Sequence, residues 1–147
     1  MTIRRFLTNE APDHQGRMLS HIWQFTDKEI ESCHDYIQWV FPLEQESGAV
    51  PNAPVATKQD VAHIKSSAIA ISNLKQSADW FYQFLCRNEQ WLGIANHNHL
   101  RITRLIKSLR LLVGDAFAND MYIKIVRLAE NSNARINTLT LEFWRHA

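Results

Sequence analysis

All four prolines of this 147-residue chain, Pro12, Pro42, Pro51 and Pro54, fall in its first 54 positions, and the whole sequence holds only four glycines. Proline removes a backbone donor and glycine adds chain entropy, so the long remainder after Pro54 meets few helix breakers. It reads as helix. Apolar residues recur three or four apart in Ile71, Leu74, Ala78, Phe81 and Leu85, and again in Ile102, Leu105, Ile106, Leu109 and Leu112; each set makes one buried stripe. Gly114 follows the second stripe where a left-handed helix cap belongs, and Asp115 opens a further pattern through Phe117, Met121, Ile125 and Leu128. A last helix carries Ile136, Leu139 and Phe143.

Upstream, Thr26-Asp27-Lys28-Glu29 has the spacing of a capping box, and a helix from about 27 toward 40 follows from it. Pro42 closes that helix. Residues 43–57, with Gly48, Pro51, Asn52 and Pro54, form a Pro/Gly-containing loop, after which Thr57 caps the next helix. No β-alternation, internal repeat or low-complexity tract interrupts the pattern. The fold class is therefore all-α, one domain over 1–147 of about six to eight helices.

Hydrophobic residues make up 46% of the chain and charged residues 21%, as in ordinary globular proteins, and 16 Lys plus Arg against 15 Asp plus Glu leave a net charge of +1. Whole-molecule electrostatics do not pull strongly on nucleic acid or anionic membrane, so such binding needs a local patch. No apolar run approaches a membrane span, and the start of the chain, from Met1 to Leu7, lacks the apolar core of a secretory signal. The expected compartment is the cytoplasm. Cys33 and Cys86 lack the short spacing of a zinc or redox pair and read as reduced, largely buried thiols.

Two segments are distinctive. The first is His34-Asp35-Tyr36-Ile37-Gln38-Trp39-Val40-Phe41-Pro42-Leu43 with Pro51-Asn52-Ala53-Pro54; the second runs Asn96-His97-Asn98-His99-Leu100-Arg101-Ile102-Thr103-Arg104-Leu105-Ile106-Lys107-Ser108-Leu109. Together they resemble the conserved domain of the opioid growth factor receptor family, which carries H-x-Y-I-Q-W-L-F-P followed later by H-N-Y-L-R-I-T-R. Gly16-Arg17-x-Leu19 followed by Trp23 resembles the opening of bacterial-type, domain-only members, so the likeness extends over 16–128. His99 departs from the family's usual Tyr, and Ser32 stands where some members have a further His. The resemblance implies an all-α domain and, for the animal namesake, recognition of an enkephalin-type peptide.

The residues themselves point to a binding module. Gln38 and His34 bring polar groups to a wall formed by Trp39, while Asn96 or Asn98 caps a helix on which Arg101, Arg104 and Lys107 recur as a basic stripe. Arginine's planar fork suits carboxylate and phosphate oxygens. With His97 added, the candidate ligand-binding residues, expected at one site where the His34–Pro42 segment meets the start of the His97–Leu109 helix, are His34, Gln38, Trp39, His97, Asn98, Arg101, Arg104 and Lys107. The partner is an unidentified protein, a peptide or a small anion; nucleic-acid backbone is a less favoured alternative, extended by Lys124 and Arg127. A metal-dependent hydrolase is the third reading, built on His34-Asp35 with His14 or His21 and Asp115 or Asp120. No nucleophile elbow, phosphate loop, dinucleotide fingerprint or H-E-x-x-H occurs, so the balance tilts away from catalysis, and neither a cofactor nor a metal is expected. Trp80, Phe81, Tyr82 and Phe84 pack mainly inward, with Trp80 or Tyr82 as the surface alternative.

Overall fold

Side-chain caps at Thr26, Thr57 and Asn137 open three of the helices in the computed structural model, which describes residues 2–48 and 50–147. Among these residues nine α-helical segments occur: α1 Thr2–Leu7, α2 Leu19–Ile22, α3 Asp27–Ser32, α4 Ile37–Val40, α5 Lys58–Lys65, α6 Ala68–Arg87, α7 Asn98–Leu112, α8 Asp115–Asn131 and α9 Thr138–His146. Among the described residues one 3₁₀ turn spans Gln90–Leu92 and no strand occurs. α2 and α4 are single turns. No helix among the described residues is long and apolar enough to cross a membrane. Met1, at the start of the chain, and Ala49, in the 43–57 loop, lie outside the described residues.

The chain divides into two units, Met1–Ser77 and Ala78–Ala147. In the first, α1 packs against α4 and α5, burying Ile3, Phe6 and Leu7 with Ile37, Val40 and Ile64. Arg4 reaches the buried carboxylate of Asp60 at 3.1 Å. Asp60 also completes the cap of α5, accepting from the Thr57 amide at 2.9 Å while its own amide donates to Thr57 Oγ1 at 3.1 Å. Thr26 and Glu29 make the equivalent reciprocal bonds at the start of α3.

The expected helix from about 27 toward 40 is broken, and the reason lies in the intervening side chains. Cys33 turns extended after α3, the Tyr36 hydroxyl donates back to the Ile30 carbonyl at 2.7 Å, and Asp35 is drawn to Arg17 and His14. These tertiary bonds offset the lost helical turn. No helix forms between Val40 and Lys58 among the described residues; the Ala56 amide donates to the Leu43 carbonyl at 2.9 Å, and Asn52 takes the left-handed conformation after Pro51.

The second unit is built on α7, against which α8 and α9 pack. All five residues of its predicted stripe, Ile102 to Leu112, are fully buried, as are Ala78, Phe81 and Phe84. Trp80 and Tyr82 are half-buried, and the Lys124 ammonium lies 4.4 Å above the Tyr82 ring. Gly114 has a positive φ of 135° with ψ of 168°, a glycine-only conformation different from the expected left-handed cap. Its amide instead reaches the Leu109 carbonyl at 2.9 Å.

Two further expectations are corrected. α9 forms, but Ile136 precedes it and Leu139 and Phe143 are exposed, whereas Trp144 is buried. Trp144 can satisfy its indole N–H inside, which a period-only reading ignores. Cys86 is exposed because it lies one residue beyond the inward positions 78, 81 and 85, about 100° around the helix from Leu85.

Candidate functional site

In the first unit the candidate site grows from a turn. Pro12-Asp13 leads into Gly16, whose φ of 77° suits glycine, and Asp13 Oδ1 accepts from the amides of both Gln15 and Arg17 at 2.9 Å. The other Asp13 oxygen takes the Arg17 guanidinium at 2.8 Å. Arg17 then bridges to Asp35 Oδ1 at 3.0 Å, and Asp35 Oδ2 meets His14 Nε2 at 3.2 Å. The Arg17 guanidinium also lies over the Phe25 ring at 5.9 Å. Four charged or titratable groups thus form one chain, Asp13–Arg17–Asp35–His14.

Burial alone would raise the Asp35 carboxyl, but the Arg17 hydrogen bond and charge, with a further contribution from His14, hold it below its ordinary value of 3.8. Burial would conversely lower Arg17, yet Asp13 and then Asp35 raise it. Both ions are stabilised by being together.

Beside this chain lies the α4 turn. The His14 ring stacks on Trp39, centroids 5.9 Å apart and planes within 7°, while Phe6 meets the same indole edge-on at 5.4 Å. Trp39 and its neighbour Gln38 are both buried. The Gln38 Oε1 and the Trp39 indole N–H are enclosed without a hydrogen-bonding partner among the described residues. Each such group costs about 1–3 kcal/mol of lost solvation. Consecutive residues therefore present one unused acceptor and one unused donor. His34, by contrast, is exposed.

The remaining predicted residues belong to the second unit. Asn96 Oδ1 accepts from the Asn98 amide at 2.9 Å, so Asn96 supports the helix start; Asn98 is the first helical residue and is buried. Its Oδ1 accepts from Arg101 at 3.1 Å, and Arg101 is itself only 6% exposed. Burial pushes the Arg104 guanidinium down to about 10. His97 and Lys107 are exposed. The three basic residues therefore run from interior to surface rather than along one solvated face. His99 Nε2 donates to the Trp91 carbonyl at 2.6 Å, and since a carbonyl only accepts, that nitrogen carries the proton.

The hydrolase reading needs several ligands around His34-Asp35, but Asp35 is engaged by Arg17 and His14. Among the described residues no group of three His, Cys, Asp or Glu side chains is placed to hold a metal. What sequence reasoning missed is the Asp13–Arg17 clamp. The Pro-Asp-x-x-Gly turn signal was available, but it identifies a turn and not the distant carboxylate, Asp35, that the turn will engage.

The model of the opioid growth factor receptor (OGFr) conserved region matches residues 8–88, a span that includes the clamp, Gln38 and Trp39 and ends before Asn96. Opioid growth factor receptor-like protein 1 of Mus musculus is 28% identical over 168 aligned residues, covering 95% of this chain and 35% of its own. The Xenopus tropicalis protein of the same name is 32% identical, covering 71% and 24%. The opioid growth factor receptor of Rattus norvegicus is 33% identical, covering 59% and 18%. The chain thus spans about a third or less of the length of these relatives. No solved structure matches.

Proposed function

The chain belongs to the opioid growth factor receptor conserved-region family, and from that premise we propose that it is a helical binding module whose ligand engages Gln38 and Trp39. The observation that carries this reading is the enclosed acceptor and donor on these consecutive residues. Native proteins leave few buried polar groups unsatisfied, and those that persist need a reason. A ligand amide that displaces the side chains covering them would supply both missing partners, its carbonyl accepting from Trp39 and its N–H donating to Gln38. Peptide is the ligand class that fits this pattern, and it agrees with the name of the rat relative, a receptor for an opioid growth factor. His14 forms the aromatic cover over Trp39, and His34 supplies exposed polar surface in the same unit.

A second reading concerns the second unit. Burial disfavours the charged form of Arg104, and a carboxylate or phosphate would offset that cost, with Asn98, Arg101, His97 and Lys107 as the accompanying polar residues.

The first reading is tested with peptides selected from a random displayed library on the wild-type protein. Loss of one ligand hydrogen bond of about 1.4 kcal/mol weakens affinity about tenfold, and that loss is expected for both Gln38→Met and Trp39→Phe. Undiminished binding by both folded variants would overturn the assignment.

A further inference from the structure

A shallow, open cleft of about 500 Å³ in the second unit is lined by Glu89, Leu92, Gly93, Ser132, Asn133 and Arg135. Its two banks are held by the backbone. The Arg135 amide donates to the Leu92 carbonyl at 2.8 Å and the Asn137 amide to the Ile94 carbonyl at 3.3 Å, so the segment after α8 is fastened alongside the segment after the 3₁₀ turn. Asn133 makes the reversal between α8 and that bank, with a φ of 53° of the kind asparagine tolerates best after glycine. The Ser132 hydroxyl donates to the Leu128 carbonyl at 2.7 Å, which leaves its lone pairs for a ligand.

Opposite charges line this one cleft without neutralising each other. Glu89 and Arg135 are both exposed, and among the described residues neither enters an ion pair and the Asn133 side chain makes no hydrogen bond. Leu92 supplies an apolar wall, and a side chain at Gly93 would meet nothing nearer than the Gln90 carbonyl at 3.4 Å. We propose that the cleft binds a small zwitterion of amino-acid size, its carboxylate on Arg135, its ammonium on Glu89 and its side chain against Leu92 and Gly93. Arginine's fork takes a carboxylate through two parallel bonds, and a carboxylate accepts from an ammonium. A ligand carrying both charges is favoured over one carrying either, because only it satisfies both banks. This site is independent of Gln38 and Trp39.

The test is amide chemical-shift titration of the isotope-labelled full chain with free leucine. N-acetylleucine, which keeps only the carboxylate, and leucinamide, which keeps only the ammonium, serve as controls. The expected result is saturable shifts at Leu92, Gly93, Ser132 and Asn133, with a midpoint on the order of 1 mM as befits so small a ligand. Both controls should bind at least about tenfold more weakly. Arg135→Gln and Glu89→Gln change exposed side chains, so both should fold, and each should weaken leucine binding by a similar factor. Absence of saturation to tens of millimolar overturns the proposal. Equal binding of N-acetylleucine, or unchanged binding by Glu89→Gln, overturns it as well, because either reduces the cleft to an anion contact.

Discussion

Trp144→Ala is expected to destabilise the protein by about 3–5 kcal/mol, the usual cost of emptying a large aromatic site in a core. The Trp144 side chain is 1% exposed, meets His99 edge-on at 5.6 Å and donates its indole N–H to the His99 carbonyl at 3.0 Å. Trp91 lies 6.4 Å away and is fixed in turn by indole bonds to the Leu85 and Asn88 carbonyls, both at 2.9 Å. Because Leu139 and Phe143 are exposed, Trp144 is the main apolar anchor of α9. Urea denaturation measures the loss, and hydrogen exchange should show Thr138–His146 released first. A change below about 1 kcal/mol would mean that the cluster does not hold the helix.

The second large effect is Asp13→Ala, expected to cost about 3 kcal/mol. Its side chain is fully buried and serves two backbone amides and the Arg17 guanidinium, so truncation removes several bonds and leaves a partly buried cation underpartnered. Asp35 gives the same clamp a pH signature. Its carboxyl is held below 3.8 in the folded chain, so its contribution is present above the unfolded value and is lost as pH falls through the lower folded value. Relative to wild type, Asp35→Asn should therefore be less stable at neutral pH and should lose less stability as pH falls below the ordinary carboxyl value of 3.8. Parallel acid limbs for the two proteins would contradict the coupling of Asp35 to Arg17.

Where local rules and packing agree, the fold is readable in advance. The α7 stripe is fully buried because every apolar residue in it obeys the helical period, and Thr26 and Thr57 cap as their spacing requires. The break at Cys33–Tyr36 was hidden because its cause lies outside the segment, in Arg17 and His14. α9 misled for a related reason: Leu139 and Phe143 are the more apolar pair, but Trp144 is the one whose polar end finds a partner. The site was partly legible. Gln38 and Trp39 stand out as polar handles on apolar bodies, whereas their missing partners are a property of the packed state. Arg101 and Arg104 are three apart and read as a surface stripe; only burial separates them from Lys107.

These residues join stability to function. If Gln38 keeps an unused acceptor for a ligand, removing that acceptor should help the ligand-free fold while harming recognition. Methionine nearly matches glutamine in length and lacks the amide. The most direct measurement is the ligand-free unfolding free energy of Gln38→Met against wild type. A gain of about 1 kcal/mol, the released cost of one enclosed polar group, is the expected result; a loss of that size would show that the amide is already employed within the fold and would contradict the assignment of Gln38 to a ligand.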